Sequence, residues 1–192
     1  MRIGVFGGTF DPVHVGHLSI ALAALETVPL DRILFVPARR SALKQRDPVA
    51  GEADRFALLE AAVADEPRFT VSRAELDRPA PSYTVETLEE LRGEGELFLI
   101  VGSDALAEFA RWKDPDRIRS LCTILVASRP GAPDPPPGVV TFDAPRLDIS
   151  SHELRSRAAR GRSLRYLVPD PVWREIEARR LYRAKELNER TT

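Results

Sequence analysis

The chain of 192 residues lacks features that would place it in several common classes of protein. It has one cysteine, Cys122, so no internal disulfide can form, and we expect a reducing compartment, the cytoplasm. No apolar run approaches the roughly 18 residues that suggest a membrane-spanning helix. The 28 Lys and Arg are balanced by 29 Asp and Glu, which excludes a generally basic nucleic-acid-binding protein. Any site for an anion must therefore be a local cluster of groups.

Short apolar runs rich in β-branched residues and phenylalanine recur along the chain. They span residues 3–6, 33–36, 69–71, 97–101, 123–126 and 139–142. Most are nearly continuous rather than alternating, which is typical of strands covered on both faces. The segments between several of them have helical spacing, as in Leu18, Leu22 and Leu25. Strands that alternate with helices predict an α/β fold with a parallel sheet and helices on both of its faces.

The character of the chain changes after residue 148. Ser150, followed by Glu153, predicts a capped helix start, and a second helix is predicted to open at residues 169–171. Val172 and Ile176 would form the apolar face of that last helix. We therefore expect an α/β core over 1–148 and a small helical part over 149–192, packed together as one compact domain.

The loop after the first strand carries the strongest functional signal. Gly7 and Gly8 allow a sharp turn and leave backbone N–H groups accessible to an anion. His14 and His17, two of the three histidines in the chain, fall on one face of the first helical turn. Gly16 lies between them, where a phosphate could approach the helix N-terminus. A tight turn with surface histidines is the alternative; a zinc site is weaker because no third ligand is evident.

This loop is similar to a known signature. Residues 7–17, GGTFDPVHVGH, resemble the GGxFxPxHxGH motif of the nucleotidylyltransferase superfamily. Residues 149–155, ISSHELR, resemble its second motif, ISSTxIR, with His152 in place of the usual threonine. The resemblance implies a Rossmann-like, doubly wound fold and the transfer of a nucleotidyl group from a nucleoside triphosphate to a phosphate.

Further stretches narrow the resemblance to the bacterial nicotinate-nucleotide adenylyltransferases. Residues 81–88, PSYTVETL, resemble that family's PSYTxDTL, and residues 102–104 with Trp112 resemble its GxD…W arrangement. Residues 166–169, YLVP, match near the C-terminus. Lys44 follows a Phe-Val-Pro segment as in the family's FVP…PPHK loop, although the Pro-Pro-His is absent. How far the Ser41 to Pro48 loop moves is not fixed by the sequence.

The resemblance implies a reaction and a set of site residues. AMP would pass from ATP to the phosphate of nicotinate mononucleotide, with Mg²⁺ held by phosphate oxygens and water and no dedicated metal ligands in the protein. The implied catalytic residues are His14, His17, Lys44 and Arg155. The implied ATP-binding residues are Gly7, Gly8, Thr9, Phe10, Gly16, Gly102, Asp104, Ile149, Ser150 and Ser151. The implied mononucleotide-binding residues are Lys44, Tyr83, Thr84, Val85, Trp112 and Lys113.

Two alternatives stay open at this point. One is a sister adenylyl- or cytidylyltransferase that acts on another phosphate acceptor, and the other is a non-catalytic nucleotide sensor with the same fold. The intact histidine pair and Arg155 favour chemistry over sensing. The sequence leaves open the preference for nicotinate over nicotinamide mononucleotide, the role of His152 and the oligomeric state, for which a homodimer is one candidate.

Overall fold

A computed structural model describes residues 1–42, 47–128 and 137–184. Lys44 and the segments 129–136 and 185–192 lie outside the described residues, as does the side chain of Asp104. The strands are β1 (Arg2–Gly8), β2 (Arg32–Pro37), β3 (Phe69–Val71), β4 (Glu96–Gly102), β5 (Cys122–Ser128) and β6 (Val139–Asp143). The helices are α1 (Val15–Thr27), α2 (Glu52–Val63), α3 (Thr84–Leu91), α4 (Ser103–Ala107), α5 (Pro115–Leu121), α6 (Ser151–Ala159) and α7 (Asp170–Ala178), with a 3₁₀ turn at Phe109–Arg111.

The strands form one parallel sheet in the order β3-β2-β1-β4-β5-β6. This confirms the predicted α/β, Rossmann-like fold, and each of the six apolar runs is a strand. The strand order turns back between the neighbouring strands β1 and β4. From β1 the chain proceeds through β2 to β3 on one side, and from β4 it proceeds through β5 to β6 on the other. In open sheets of this kind, ligands bind beyond the carboxyl ends of the strands at that point. The ends of β1 and β4 therefore mark where a site is expected.

Two apolar clusters cover the two faces of the sheet. Phe98 and Ile100 of β4 pack into one cluster with side chains of α1, α2, α6 and α7. Leu97 and Leu99, the alternate residues of the same strand, pack into the other cluster with side chains of α3 and α5. The strands are covered on both faces, as their continuous apolar runs predict. Because α6 and α7 share a cluster with α1 and α2, the C-terminal helices pack on the core; a boundary at residue 148 stays a prediction.

Local sequence rules account for several helix starts. The hydroxyl of Ser150 accepts from the backbone N–H of Glu153 at 3.2 Å and donates to its carboxylate at 2.9 Å, which confirms the predicted cap. The carboxylate of Asp114 caps α5 by accepting from the backbone N–H of Arg117 at 3.2 Å, a signal that the sequence analysis missed. In α1, Leu22 is exposed, whereas Leu25 is buried together with Ala21, Ala23 and Ala24. Small residues there let α1 lie close to the sheet.

Candidate active site

Two adjoining cavities open at the carboxyl ends of β1 and β4. The first, which we call the histidine cavity because His14 and His17 line it, has a volume of about 970 Å³. The second, called the tryptophan cavity because Trp112 lines it, has a volume of about 900 Å³. The residues that line both are Gly8, Thr9, Gly102 and Ala105. A ligand in one cavity would therefore adjoin a ligand in the other, as two reacting substrates must.

Most of the predicted site residues lie in these two walls. Those in the histidine cavity are Gly8, Thr9, Phe10, His14, Gly16, His17, Gly102, Ile149, Ser150, Ser151 and Arg155. Those in the tryptophan cavity are Gly7, Gly8, Thr9, Tyr83, Thr84, Gly102, Trp112 and Lys113. Val85 is placed differently, because its side chain is 5% exposed and packs in the apolar cluster beneath α3. Lys44 and the side chain of Asp104 lie in the part of the chain that is not described.

The imidazole of His17 is fixed in orientation by three contacts with two residues. Its Nδ1 accepts from the backbone N–H of His14 at 3.2 Å. Its ring stacks on that of His14, with centroids 3.7 Å apart, and meets the edge of Phe10 at 5.0 Å. Because Nδ1 is an acceptor, the neutral ring carries its proton on Nε2. His17 is therefore held as a hydrogen-bond donor through Nε2.

His14 is buried, and burial lowers the pKa of its imidazole to about 4. The ring is therefore neutral near pH 7. Its Nδ1 is buried and has no hydrogen-bond partner among the described residues. An unpartnered polar atom in a buried position is costly unless something else satisfies it. In a ligand cavity, a bound molecule is one way to do so.

Gly16 allows the start of α1 to approach the segment that precedes α6. A Cβ atom at this position would lie 2.9 Å from Cγ2 of Ile149 and 3.0 Å from Nδ1 of His14. Both distances are too short for ordinary van der Waals contact. Only glycine therefore lets the two elements meet here without displacing the His14 ring.

Two hydrogen bonds tie the start of α6 to the first loop. Arg155 donates from Nη1 to the backbone oxygen of Asp11 at 2.6 Å, and the hydroxyl of Ser151 donates to the backbone oxygen of Pro12 at 2.9 Å. These partners are 144 and 139 residues apart in sequence. The N-termini of α1 and α6 thus open on one cavity. Free N–H groups and positive helix ends suit a polyphosphate.

Sequence reasoning missed two buried charges that shape the first loop. The carboxylate of Asp11 accepts from the backbone N–H groups of Val49 and Ala50 at 2.8 and 3.1 Å. The fully buried Arg55 donates to the backbone oxygens of Thr9 and Ala38, at 2.9 and 2.8 Å. Burial lowers the pKa of Arg55, while the charge of Asp11 opposes that shift. A signal was available for Asp11, which stands within the motif of residues 7–17, but the partners of both residues are far away in sequence.

The wall of the tryptophan cavity is aromatic and lies beside a helix start. Trp112 follows the 3₁₀ turn and packs at 5.4 Å from Phe109, while its Nε1 is buried without a partner among the described residues. The ammonium of Lys113 lies 4.3 Å from the centre of the Tyr83 ring and donates to Glu86 at 2.7 Å. Thr84 begins α3. A flat wall beside a helix N-terminus suits a flat ring with an anionic substituent.

Within 1–42, 47–128 and 137–184, no group of three or more His, Cys, Asp and Glu side chains is arranged to hold a metal ion. In the same residues, no helix is both long enough and apolar enough to cross a bilayer.

The chain is similar to known proteins over most of its length. Residues 5–157 match the profile of the cytidylyltransferase-like family, which covers the sheet, both motifs and most of α6. The fold and the site thus define a nucleotidyltransferase of the Rossmann-like type.

Full-length relatives narrow the class further. The chain is 49% identical over 188 residues to a protein of Thermus thermophilus named probable nicotinate-nucleotide adenylyltransferase, covering 95% of this chain and 100% of the relative. A protein of the same name from a Roseiflexus species is 46% identical, covering 94% and 98% of the two chains. The chain therefore belongs to the nicotinate-nucleotide adenylyltransferase family.

Solved structures agree on the fold. Plasmodium falciparum nicotinic acid mononucleotide adenylyltransferase, in a complex with NaAD, matches with a TM-score of 0.74 at 16% identity. The match covers 94% of this chain and 97% of the other. At this identity the likeness concerns the fold alone.

Proposed function

We propose that the protein transfers AMP from ATP to the phosphate of nicotinate mononucleotide, a step of NAD biosynthesis. The products are deamido-NAD and pyrophosphate. The observation that carries the proposal is the pair of adjoining cavities, one with two helix N-termini and a histidine pair, the other with an aromatic wall. The first suits a triphosphate and the second a pyridine ring, and they meet along Gly8 and Thr9.

In this reaction a phosphate oxygen of the mononucleotide attacks the α-phosphorus of ATP. A new P–O bond forms, and the bond from the α-phosphorus to the bridging oxygen breaks as pyrophosphate leaves. A phosphate monoester is already anionic near pH 7, because its second pKa is about 6, so no strong general base is required. The protein contributes by aligning the two substrates and by stabilising charge at the reacting phosphorus.

His17 is the side chain that we assign to the α-phosphate. Because Nδ1 accepts from the backbone N–H of His14, the neutral ring carries its proton on Nε2. A donor aimed at oxygens whose charge grows during the reaction lowers the barrier. His14 is neutral, and its unpartnered Nδ1 would donate to a phosphate oxygen in the tautomer that carries the proton there, or bond to water.

The start of α6 is assigned to the β- and γ-phosphates. The hydroxyls of Ser150 and Ser151 are engaged with Glu153 and Pro12, so the free N–H groups of the first turn are the available donors. Arg155 supplies the positive charge there, held in place by its bond to Asp11. We retain Lys44 as a further cation for the triphosphate. Mg²⁺ would enter with ATP, as part of the substrate.

Measurement of pyrophosphate release tests this function. We expect release when the protein is given ATP, Mg²⁺ and nicotinate mononucleotide, and much less with nicotinamide mononucleotide, phosphopantetheine or a cytidylyl donor. Turnover with phosphopantetheine as the acceptor, and none with nicotinate mononucleotide, would identify the protein as a sister adenylyltransferase. Tight ATP binding without turnover on any acceptor would indicate a sensor. A cytoplasmic location and a homodimer stay predictions that fractionation and light scattering can check.

A further inference from the structure

Glu75 is a buried carboxylate in the wall of the tryptophan cavity. It lies between β3 and α3 and is only 7% exposed. Neither the matched motifs nor the proposed reaction uses it. A carboxylate in such a position is unfavourable unless neighbouring groups donate to it, so its partners indicate what it does.

Two hydroxyl groups donate to this carboxylate from opposite ends of one segment. Thr87, in the first turns of α3, donates from Oγ1 to Oε1 of Glu75 at 2.7 Å, while it accepts from Arg78 at 2.5 Å. Ser82 accepts from the backbone N–H of Arg39 at 3.0 Å, and its hydroxyl bonds to Glu75. Each hydroxyl has one proton, and because an ionised carboxylate can only accept, each hydroxyl donates that proton to Glu75 while its oxygen accepts from an N–H group.

The burial of Glu75 raises its pKa, and the two hydroxyls with the charge of Arg78 oppose that shift. The carboxylate is thus a well-satisfied acceptor. The segment that it holds, Tyr83 and Thr84, lies between its two partners Ser82 and Thr87. That segment forms the start of α3, where the first N–H groups have no acceptor within the helix.

We propose that Glu75 is a positioning residue for the acceptor substrate, and that it holds Ser82 and Thr87 so that the start of α3 is aligned to bind an anionic group on a flat ring. The inference rests on the proposed function. It concerns recognition of the nicotinate carboxylate and gives Glu75 no contact with the reacting phosphates. Direct contact between Glu75 and the substrate would have the opposite effect, because a buried negative charge repels an anion.

The two roles of Glu75, positioning of α3 and direct contact with the substrate, therefore predict opposite changes in the KM for nicotinate mononucleotide. Glu75→Gln keeps the shape, removes the charge and replaces one acceptor oxygen with a donor. Thr87→Val removes one hydroxyl and leaves the charge. If Glu75 positions α3, both variants raise the KM for nicotinate mononucleotide, by roughly tenfold for E75Q and severalfold for T87V, with the KM for ATP and kcat little changed. Both should also lower the preference for nicotinate over nicotinamide mononucleotide.

Thr27→Val is the matched control. Thr27 also donates a hydroxyl to a nearby oxygen, that of Ala23 at 2.6 Å, but it lies in α1 away from both cavities. We expect T27V to leave both KM values unchanged.

The inference is overturned if E75Q lowers the KM for nicotinate mononucleotide. It is also overturned if E75Q and T87V both lower the melting temperature and change the two KM values equally. An inactive wild-type protein would overturn the proposed function and the inference with it, whereas an active one with unaltered variants overturns the inference alone.

Discussion

The histidine cavity and the tryptophan cavity share a border but are constructed differently. The histidine cavity takes most of its wall from two stretches, residues 8–20 and 144–155, which are tied together by Arg155 and Ser151. The tryptophan cavity takes its wall from short pieces of β1, β4, the loop after β2, the segment before α3 and the 3₁₀ turn. The first presents helix starts and a histidine pair of which His14 is buried, the second aromatic rings and a buried carboxylate. Backbone N–H groups can bind a polyphosphate, whereas the selection of one particular ring requires side chains of complementary shape.

The largest effect is expected for His17, the residue of the histidine cavity that we assign to ATP, the donor of AMP. His17→Ala should lower kcat by roughly 10²–10⁴-fold, because the variant loses a donor placed at developing charge. His17→Asn separates two roles of the ring: its side-chain oxygen can replace Nδ1 as acceptor for the His14 N–H, but it has nothing in place of Nε2. We expect H17N to be as inactive as H17A in a pyrophosphate-release assay. Recovery of activity in H17N would mean that His17 only caps α1.

The second prediction concerns the pH dependence of stability. In the folded protein the pKa of His14 is about 4, against an ordinary value of 6.5, so between these values the unfolded chain binds a proton that the folded chain does not. Stability should therefore fall as the pH decreases from about 6.5 towards 4, by roughly 3 kcal/mol from this residue. Urea unfolding at pH 7.5 and pH 4.5 should show a smaller loss for His14→Gln than for wild type. Equal losses would contradict the neutral, buried state of His14.

The third prediction concerns the binding of nicotinate mononucleotide, the acceptor of AMP, in the tryptophan cavity. Trp112→Ala should raise the KM for nicotinate mononucleotide by roughly tenfold or more, the usual scale of one stacking contact, with little change for ATP. Trp173→Ala is the control, because Trp173 lies in α7 outside both cavities and packs against Arg165. The control should cost stability and leave the ratio of the two KM values unchanged. A rise of equal size for both substrates in W112A would remove Trp112 from acceptor binding.

The contrast between the cavities explains what the sequence could predict. The strands and the sheet follow from continuous apolar runs, and the histidine cavity follows from residues that are close together in two motifs. Asp11 and Arg55 were missed because their partners, Ala50 and Ala38 among them, are brought near only by the fold. Glu75 was missed for the same reason: its hydrogen bonds depend on how α3 packs beside β3. Helix α4 was missed because five residues carry no periodicity.

The smallest effect is expected at the contact between α1 and the segment before α6. Gly16→Ala should lower the free energy of unfolding by about 1 kcal/mol and raise the KM for ATP severalfold, because the new Cβ must displace Ile149 or His14. The gain in helix propensity offsets part of that cost. Gly51→Ala is the matched control, since its Cβ would meet only Asp54, at 3.7 Å. Equal behaviour of the two variants would show that the close approach at Gly16 has no functional role.

The most direct test is a crystal structure of the protein with a non-hydrolysable ATP analogue and nicotinate mononucleotide. The account predicts the triphosphate in the histidine cavity, with an α-phosphate oxygen within hydrogen-bond distance of Nε2 of His17, and the pyridine ring against Trp112. A triphosphate bound away from the starts of α1 and α6, or a pyridine ring outside the tryptophan cavity, would contradict it.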